Sequence, residues 1–387
     1  MNHSSNMDFD EKKMGGHLLV DSLRTHGVDM VFGVPGESYL AVLDGLQDAN
    51  SIRTIMCRQE GGSAMMAEAY GKLTGKPGVC LVTRGPGATN ASAGIHIAMQ
   101  DSTPLVMLVG QVGREMMDRE AFQEIDYRRM YGELTKWVAQ IEDTSRIPEY
   151  ISRAFHTATS GRPGPVVLAL PEDMLTEYAE SKSINSYQKI EAYPSPADLA
   201  RVEEMLRKSK APLMIVGGGG WDEASCQKIQ DFAEKNHLPV GCSFRCQDYF
   251  DNRHPNYVGH IGIGLSTSLQ DRIINSDLLV VIGARLGEVT TSGYSLLDIP
   301  RPKQQLIHIH SGAEELGSVY QADVPINASP RSFAEAISRL EIAGSEKWAS
   351  NTKQGNDDYL ETLVPKAIPG DVQMAEIACW LNEILPE

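Results

Sequence analysis

Short apolar runs that alternate with helical stretches constrain the fold of this chain more than any other feature. The alternation extends from Gly15 to about Pro171, and each apolar run is long enough for one buried strand. Strands that alternate with helices predict a parallel sheet with helices on both faces. The predicted strands lie at 30–34, 52–57, 79–83, 105–109 and 166–170.

A second alternation follows residues 181–197, a polar segment with two prolines and little periodicity that we interpret as a linker. The fold class is therefore α/β, with two parallel-sheet domains at 14–180 and 198–345. Residues 1–13 are expected to be a disordered lead-in. Residues 346–387 are expected to be a linker and, from Val372 to Leu385, the first helix of a further domain. Strands are predicted in the second domain at 212–220, 238–240, 278–283 and 305–309.

Composition excludes several classes of function. The net charge of −16 offers no basic excess to neutralise nucleic-acid phosphates. No apolar run approaches the 18 residues of a membrane span, and the first 14 residues lack the basic-then-apolar order of a signal peptide. The six cysteines are scattered, which favours a reducing cytoplasm over a disulfide framework. We expect a cytoplasmic protein with neither a membrane nor a nucleic-acid partner.

Glu60 is the candidate catalytic residue. It lies in Arg58-Gln59-Glu60-Gly61-Gly62-Ser63-Ala64, after a predicted strand and before a predicted helix. Ligands of open α/β sheets bind at the carboxyl ends of the strands, so this is a place for a functional acid. The alternative is that Glu60 only caps the following helix, where acids are favoured.

Two glycine turns follow neighbouring strands of the same domain, at Gly33–Gly36 and Gly85–Gly87. Each could let the backbone approach a flat ligand, or could serve the geometry of the turn alone. In the second domain, Gly217–Gly220 could open a helix and seat a phosphate, and Arg285 could pair with an anion or with a surface acid. His308 and His310 alternate on one strand without a visible third metal ligand.

These motifs, in this order, resemble the thiamine-diphosphate enzymes of the acetohydroxyacid (acetolactate) synthase group. The resemblance covers roughly residues 14–340 and is most specific in the first domain. It rests on Phe32-Gly33-Val34-Pro35-Gly36, the Glu60 stretch, Gly75–Val79, Thr83-Arg84-Gly85-Pro86-Gly87-Ala88-Thr89-Asn90, Asp101–Leu105, Gly110–Val112, Ala121-Phe122-Gln123-Glu124 and Arg162–Val166.

The resemblance implies roles for residues of the first domain, which corresponds to the pyrimidine-binding domain of the family. Glu60 would hydrogen-bond the aminopyrimidine ring of thiamine diphosphate and share a proton with it, and Gln123 would act on the substrate side. Many relatives carry histidine where this chain has Gln59. The cofactor-binding positions implied here are Val34, Pro35, Glu60, Pro86, Asn90, Phe122 and Gln123.

The second domain resembles the middle domain that binds FAD in the synthases, with Gly218, Gly219 and Arg285 at matching positions. The acidic strand end of the family is replaced by His310-Ser311-Gly312-Ala313, so FAD binding stays open. The Gly-Asp-Gly motif, which helps to hold Mg²⁺ and the diphosphate in the family's third domain, does not occur in this sequence. We expect the metal ligands in a domain outside it.

The implied function is decarboxylation of a 2-oxo acid, with pyruvate as the candidate, and carboligation to a second carbonyl in a homodimer or homotetramer. Two alternatives stay open. One is another activity of the superfamily, as a decarboxylase, oxidase or acyltransferase. The other is a dimerising α/β protein that has kept the fold without the chemistry.

Overall fold

The computed structural model describes residues 12–385. The chain divides into an N-terminal unit that ends at Glu191 and a central unit that begins at Ala192. This division falls inside the predicted linker. Each unit contains one six-stranded sheet in which every strand pairing is parallel, so the predicted fold class is confirmed.

The N-terminal unit orders its sheet β3-β2-β4-β5-β7-β6, and β1 and β8 form a separate antiparallel pair. Its strands are β1 Lys12–Met14, β2 Met30–Gly33, β3 Arg53–Met56, β4 Gly78–Val82, β5 Leu105–Gln111, β6 Trp137–Gln140, β7 Pro165–Pro171 and β8 Tyr178–Glu180. Its helices are α1 Gly15–Thr25, α2 Leu40–Asp48, α3 Glu60–Thr74, α4 Pro86–Asp101, α5 Tyr127–Tyr131, α6 Ile147–Thr159 and α7 Glu172–Thr176.

The central strands of this sheet are buried on both faces, which explains their continuous apolar sequence. Along β4, Val79 and Leu81 face one apolar cluster, while Cys80 and Val82 face the other. Burial raises the pKa of the Cys80 thiol to about 12, so this cysteine is a neutral core residue.

The central unit orders its sheet β11-β10-β9-β12-β13-β14. Its strands are β9 Pro212–Val216, β10 Val240–Ser243, β11 Tyr257–Ile261, β12 Leu278–Ile282, β13 Gln305–His310 and β14 Val324–Asn327. Its helices are α8 Pro196–Lys208, α9 Glu223–Lys235, α10 Thr267–Asn275, α11 Pro330–Ile337, α12 Ala349–Thr362 and α13 Met374–Ile384. No helix in the described range 12–385 is long and apolar enough to cross a membrane.

The expectation of a linker directly after residue 345 is wrong, because Ala349–Thr362 forms α12 and packs on the central unit. The Trp348 side chain, at the start of this helix, is fully buried, and its indole Nε1 donates to the Ser209 carbonyl at 3.1 Å. The Asn356 amide, in the middle of α12, donates to the carbonyl of Tyr257, the first residue of β11, at 2.8 Å. The sequence did not predict this helix because its residues are mostly polar and the buried side chain that attaches it, Trp348, lies just before it.

Two further boundaries differ from the sequence predictions. Lys12 and Lys13, expected in the disordered lead-in, pair with β8, while residues 1–11 lie outside the described range. The predicted linker has no helix or strand up to Ser195, whose hydroxyl then caps α8. Within that linker Tyr187 packs against the N-terminal unit, and its backbone N–H donates to His26 Nδ1 at 3.1 Å.

Candidate active site

Glu60 is the first residue of α3, directly after the turn that follows β3. The cap of this helix is Gln59, whose side-chain oxygen accepts a hydrogen bond from the Gly62 N–H at 2.8 Å. The capping hydrogen bond therefore comes from Gln59, while Glu60 is an acid in the first turn of α3, where the helix dipole favours a negative charge. Because Gln59 satisfies the orphan backbone donor, the Glu60 carboxylate is available for other partners.

The Glu60 carboxylate contacts Asn90 on the neighbouring helix α4. The Asn90 amide donates to Glu60 Oε2 at 2.9 Å, and in the described part of the chain it is the only hydrogen-bond donor to this carboxylate. Glu60 is half-buried and Asn90 is exposed. The second oxygen, Oε1, consequently remains for a ligand. One oxygen accepts a hydrogen bond from Asn90, and the other lies beside Gly87, where an added Cβ would be 3.5 Å from it.

Small side chains bring α3 and α4 close together and so set the geometry of this pair. Ala64 and Ala67 on α3 and Ala88 and Ala91 on α4 are fully buried in one apolar cluster. Helices that meet through alanines approach closely and tolerate little change in side-chain volume. The distance between Glu60 and Asn90 is thus determined by the packed helices rather than by mobile loops.

The turn after β4 forms the next wall of the site. Gly85 has φ +63° and donates its backbone N–H to the Tyr127 hydroxyl at 2.9 Å. A Cβ at Gly85 would lie 2.6 Å from the Cβ of Gln123, so glycine is required both by the backbone angle and by the close approach. Pro86 then occupies the first turn of α4, where its missing N–H costs nothing.

The loop after β5 carries Phe122 and Gln123 over this turn. Gln123 has φ +65°, an uncommon value for a residue with a side chain. The Phe122 side chain is 73% exposed, and its carbonyl accepts a hydrogen bond from Arg84 Nε at 3.2 Å. A strained residue and a large exposed aromatic side chain at one loop tip are typical of a binding site.

The turn after β2 completes the edge. The Tyr39 hydroxyl donates to the Val34 carbonyl, and burial raises the pKa of this phenol, which keeps it a neutral donor. Pro35 is exposed beside it. Because β3, β2, β4 and β5 are parallel neighbours, the turns that follow them share one sheet edge.

The structure therefore connects the predicted residues of the first domain by specific contacts in two places. Glu60 meets Asn90, and Gln123 packs on Gly85, next to Pro86. Val34 and Pro35 lie in the turn of the adjacent strand, without a side-chain contact that ties them to a ligand position. The sequence analysis did not identify Arg84, which donates to the Phe122 carbonyl, or Tyr127, whose hydroxyl accepts from the Gly85 N–H. Arg84 could have been identified from its place in Thr83-Arg84-Gly85, because a charged side chain between a buried strand and a helix needs a partner.

The predicted phosphate seat of the central unit differs from expectation. Gly217–Gly220 do not open a helix, because α9 begins at Glu223 with Asp222 as its cap. The Asp222 carboxylate accepts a hydrogen bond from the Ser225 N–H at 2.8 Å. The Ser225 hydroxyl accepts one from the Asp222 N–H, which completes a capping box. An aspartate thus occupies the helix end that an anionic phosphate would need.

The glycine turn instead packs against the turn after β12. Gly218 has φ +70°, and a Cβ there would lie 2.0 Å from the Gly283 carbonyl oxygen. The Trp221 indole donates to the Gly217 carbonyl at 2.8 Å and its ring lies against Tyr249. Close packing between two turns is therefore sufficient to explain this glycine run.

Arg285 is paired within the central unit. Its Nε donates to Glu315 Oε2 at 3.0 Å, which is the acid-partner alternative considered from the sequence. The His308 Nε2–H donates to the Ala284 carbonyl at 2.8 Å, and burial lowers the pKa of His308 to about 4. Among residues 12–385, no group of three or more His, Cys, Asp or Glu side chains is arranged to hold a metal ion.

These contacts do not fit an FAD diphosphate at the predicted positions Gly218, Gly219 and Arg285. The helix end is capped by a carboxylate, the arginine is neutralised by another, and the glycine turn is closed by its own packing. In contrast, the edge that holds Glu60 and Asn90 fits a neutral or weakly basic ring with both donor and acceptor atoms.

Comparison with known proteins identifies both units. A model of the N-terminal binding domain of thiamine pyrophosphate enzymes matches residues 13–130. A model of the central domain of the same enzymes matches residues 199–337. The first match contains every predicted cofactor residue of the N-terminal unit, and the second contains the glycine turn and Arg285.

Acetolactate synthase large subunits are among the similar proteins. The large subunit from Corynebacterium glutamicum is 31% identical over 91% of this chain and 56% of its own length. Isozymes 2 and 3 from Escherichia coli K12 are 29% and 31% identical over 89% and 92% of this chain, and 62% and 66% of their own lengths. The chain thus spans a little over half to about two thirds of these relatives. The two matched domains, in the family's order and over more than half of the sequence, show that this chain belongs to the thiamine pyrophosphate enzyme family.

Proposed function

We propose that this chain forms the pyrimidine-binding side of an acetolactate-synthase-like enzyme, which decarboxylates a 2-oxo acid, pyruvate in the first instance, and joins the remaining acyl group to a second carbonyl. One observation carries the proposal. The Glu60 carboxylate stands at the carboxyl edge of the parallel sheet, with Oε2 held by Asn90 and Oε1 without a partner in the described chain. The resemblance to acetolactate synthases supports the choice of reaction.

When bound, thiamine diphosphate supplies a thiazolium carbon that can attack a carbonyl and accept the electrons released by decarboxylation. Glu60 would bind the aminopyrimidine ring through Oε1 and hold a proton between that oxygen and the ring nitrogen. Asn90 fixes the rotamer of Glu60, so the shared proton has a defined position. Gln59, where many relatives have histidine, caps the helix and adds no second titratable group.

The loop tip would act on the other reactant. Gln123, packed on Gly85, places an amide that can donate to a carbonyl or carboxylate oxygen of the 2-oxo acid. The exposed Phe122 ring would cover the apolar part of the ligand and reduce access of water. Val34, Pro35 and Pro86 would line the ring edge with apolar surface. Mg²⁺ and the diphosphate have no assigned ligands among the described residues.

The proposed enzyme acts as a cytoplasmic homodimer or homotetramer. The outward side of α3 and the adjoining strand end support an oligomer, because they expose several large apolar side chains next to the site. These side chains are Met56, Met65, Met66 and Leu73. Sedimentation velocity on the enzyme would measure the mass directly, and a monomer at micromolar concentration would contradict this part of the proposal.

The central unit is proposed to function without a flavin, since its predicted FAD positions are occupied by the chain's own contacts. An absorption spectrum of the purified protein is expected to show no flavin bands in the visible range. Stoichiometric flavin absorption that survives dialysis would contradict this interpretation.

The activity is tested on the complete enzyme, supplied with Mg²⁺ and pyruvate, with and without thiamine diphosphate. We expect carbon dioxide release that depends on the cofactor and formation of a ligated product with a second 2-oxo acid. Cofactor-dependent release without a ligated product would indicate a decarboxylase of the same superfamily. No turnover of any 2-oxo acid, with the cofactor demonstrably bound, would refute the proposed reaction.

A further inference from the structure

We propose that Arg84 is a positioning residue that fixes the Phe122–Gln123 loop tip at the candidate active site, with Glu172 as its anchor. The inference deepens the proposed function and rests on it for the identity of the substrate. Its structural part, the control of the loop tip by Arg84, stands on contacts that do not depend on that identity.

Arg84 lies between β4 and α4 and its side chain is only 11% exposed. The guanidinium contacts two partners on different elements. One nitrogen donates to Glu172 Oε2 at 2.7 Å, and Nε donates to the Phe122 carbonyl at 3.2 Å. Glu172 is the first residue of α7, directly after the buried strand β7. The guanidinium therefore links a rigid strand end to the loop tip.

The backbone of Arg84 is held as well. Its N–H donates to the Ser38 hydroxyl at 3.3 Å, and Ser38 in turn contacts the Thr83 hydroxyl at 2.7 Å. Ser38 is fully buried beneath the turn. The backbone of Arg84 is therefore held in place by the buried turn. We infer that the guanidinium restrains the loop tip, and that the loop tip does not determine the position of Arg84.

The loop body has separate supports. The Glu124 carboxylate accepts from the N–H groups of Asp118 and Ala121, at 2.7 and 3.0 Å, and these bonds lower its pKa. The Gln111 amide donates to the Ile125 carbonyl at 2.8 Å. Neither set reaches the Phe122 carbonyl. Loss of Arg84 is therefore expected to release the tip and leave the loop body folded.

Gln123 needs such a restraint. Its φ of +65° is disfavoured for a residue with a Cβ, and a conformation of this kind persists only when its surroundings impose it. Gln123 packs closely on Gly85, and Arg84 donates a hydrogen bond to the Phe122 carbonyl just before it. Without the second contact, Gln123 would spend much of its time away from the position that meets the substrate.

A guanidinium is suited to this task because its planar fork donates in two directions at once, whereas an ammonium is a single point of charge. Arg84→Lys keeps the charge opposite Glu172 but cannot reproduce both bonds in the same geometry. Arg84→Met removes the charge and keeps much of the side-chain length. Glu172→Gln removes the anchor charge and leaves the arginine in place. These three variants separate charge from geometry.

The experiment measures KM for pyruvate, kcat, the thiamine diphosphate Kd and amide hydrogen exchange in the complete enzyme, with exposed Arg53→Met as the control. For Arg84→Met and Arg84→Lys we expect KM to rise about tenfold or more, with the cofactor Kd changed less than threefold. Amide exchange of Glu124, whose N–H donates to the Ala121 carbonyl across the loop tip at 2.9 Å, should accelerate at least tenfold, while exchange of Asp118, Ala121 and α5 stays unchanged. Glu172→Gln should show a smaller change in the same direction.

Unchanged exchange of the Glu124 amide in folded Arg84→Lys would overturn the inference. Equal losses in substrate binding and cofactor affinity would also overturn it, because they would mean general damage to the site. If Arg84→Met does not fold, Arg84→Lys decides. Failure of the proposed function looks different: the wild-type enzyme would then bind no thiamine diphosphate and turn over no 2-oxo acid, while the exchange data would still test the role of Arg84.

Discussion

Replacement of Gly85 by alanine tests the packing of the loop tip on the glycine turn. Two effects should add at this position. Its backbone has φ +63° and ψ −115°, which an L-residue rarely adopts, and the new Cβ would lie 2.6 Å from the Gln123 Cβ. Gly75 offers a matched control, because it has φ +68° in the same unit but nothing within 4 Å of its Cβ position.

The two substitutions should therefore differ mainly by the contact with Gln123, and to a smaller extent by ψ, which is 2° at Gly75 and −115° at Gly85. For Gly75→Ala, a left-handed backbone costs about 1–2 kcal/mol. For Gly85→Ala, the backbone costs about 1–3 kcal/mol and overpacking another 1–3 kcal/mol. For a unit of this size each kcal/mol lowers Tm by roughly 2–4 °C. We expect Tm to fall by about 2–8 °C for Gly75→Ala and by about two to three times as much for Gly85→Ala.

Thermal and denaturant unfolding of the two variants would measure the difference, and activity would report on the loop. Gly85→Ala should also lose activity, because relief of the clash requires Gln123 to move. Equal stability losses for both variants, with activity of Gly85→Ala intact, would refute the view that contact with Gln123 requires glycine here. The glycine would then serve only the turn.

Two further predictions concern the central unit. Trp348→Ala should reduce its free energy of unfolding by about 3–5 kcal/mol, since a fully buried indole is removed, whereas Trp380→Ala, 57% exposed, should cost little in denaturant unfolding. Burial lowers the pKa of His308 to about 4 from 6.5, so between these values the unfolded state binds more protons and stability should fall with falling pH, by up to about 1.4 kcal/mol per pH unit. His308→Gln should flatten the dependence measured between pH 4.5 and 7, and exposed His96→Gln should leave it unchanged.

The sheet cores were predictable because parallel strands buried on both faces require continuous apolar runs. β4, β5, β7, β9 and β12 all have this character, and their positions agree with the sequence prediction to within a residue or two, apart from the glycine turn added to β9. The edge strands β6, β11 and β14 were missed. β6 and β14 have only four residues each, and edge positions relax the demand for apolar residues on both faces.

The helix α12 was missed for a different reason. Its sequence, Ala349–Thr362, is mostly polar, and its attachment depends on Trp348 before it and on amide contacts such as that of Asn356. Neither produces a strong apolar periodicity. Tertiary contacts of this kind cannot be read from a hydrophobic pattern.

At the site, sequence order was enough to place Glu60 and the turns at Gly33–Gly36 and Gly85–Gly87 at one sheet edge, because the turns of parallel strands share that edge. Asn90 and Gln123 were implied only by the resemblance to the family. The sequence could not show that Gln59 takes the capping role, or that Asp222 and Glu315 occupy the expected FAD positions. Those outcomes depend on which side chains the fold brings within hydrogen-bonding distance of a given backbone or charged group.

The most direct test of the central claim is the exchange of the thiazolium C2 proton of bound thiamine diphosphate, followed by NMR in deuterated buffer. The wild-type enzyme is compared with Glu60→Gln and with the exposed control Glu133→Gln, each with cofactor binding verified. Glutamine keeps the hydrogen bond to Asn90 but cannot share a proton, so we expect exchange to slow by about 10²- to 10⁴-fold in Glu60→Gln and to be unchanged in Glu133→Gln. Exchange at the wild-type rate in Glu60→Gln, with the cofactor bound, would contradict the role assigned to Glu60.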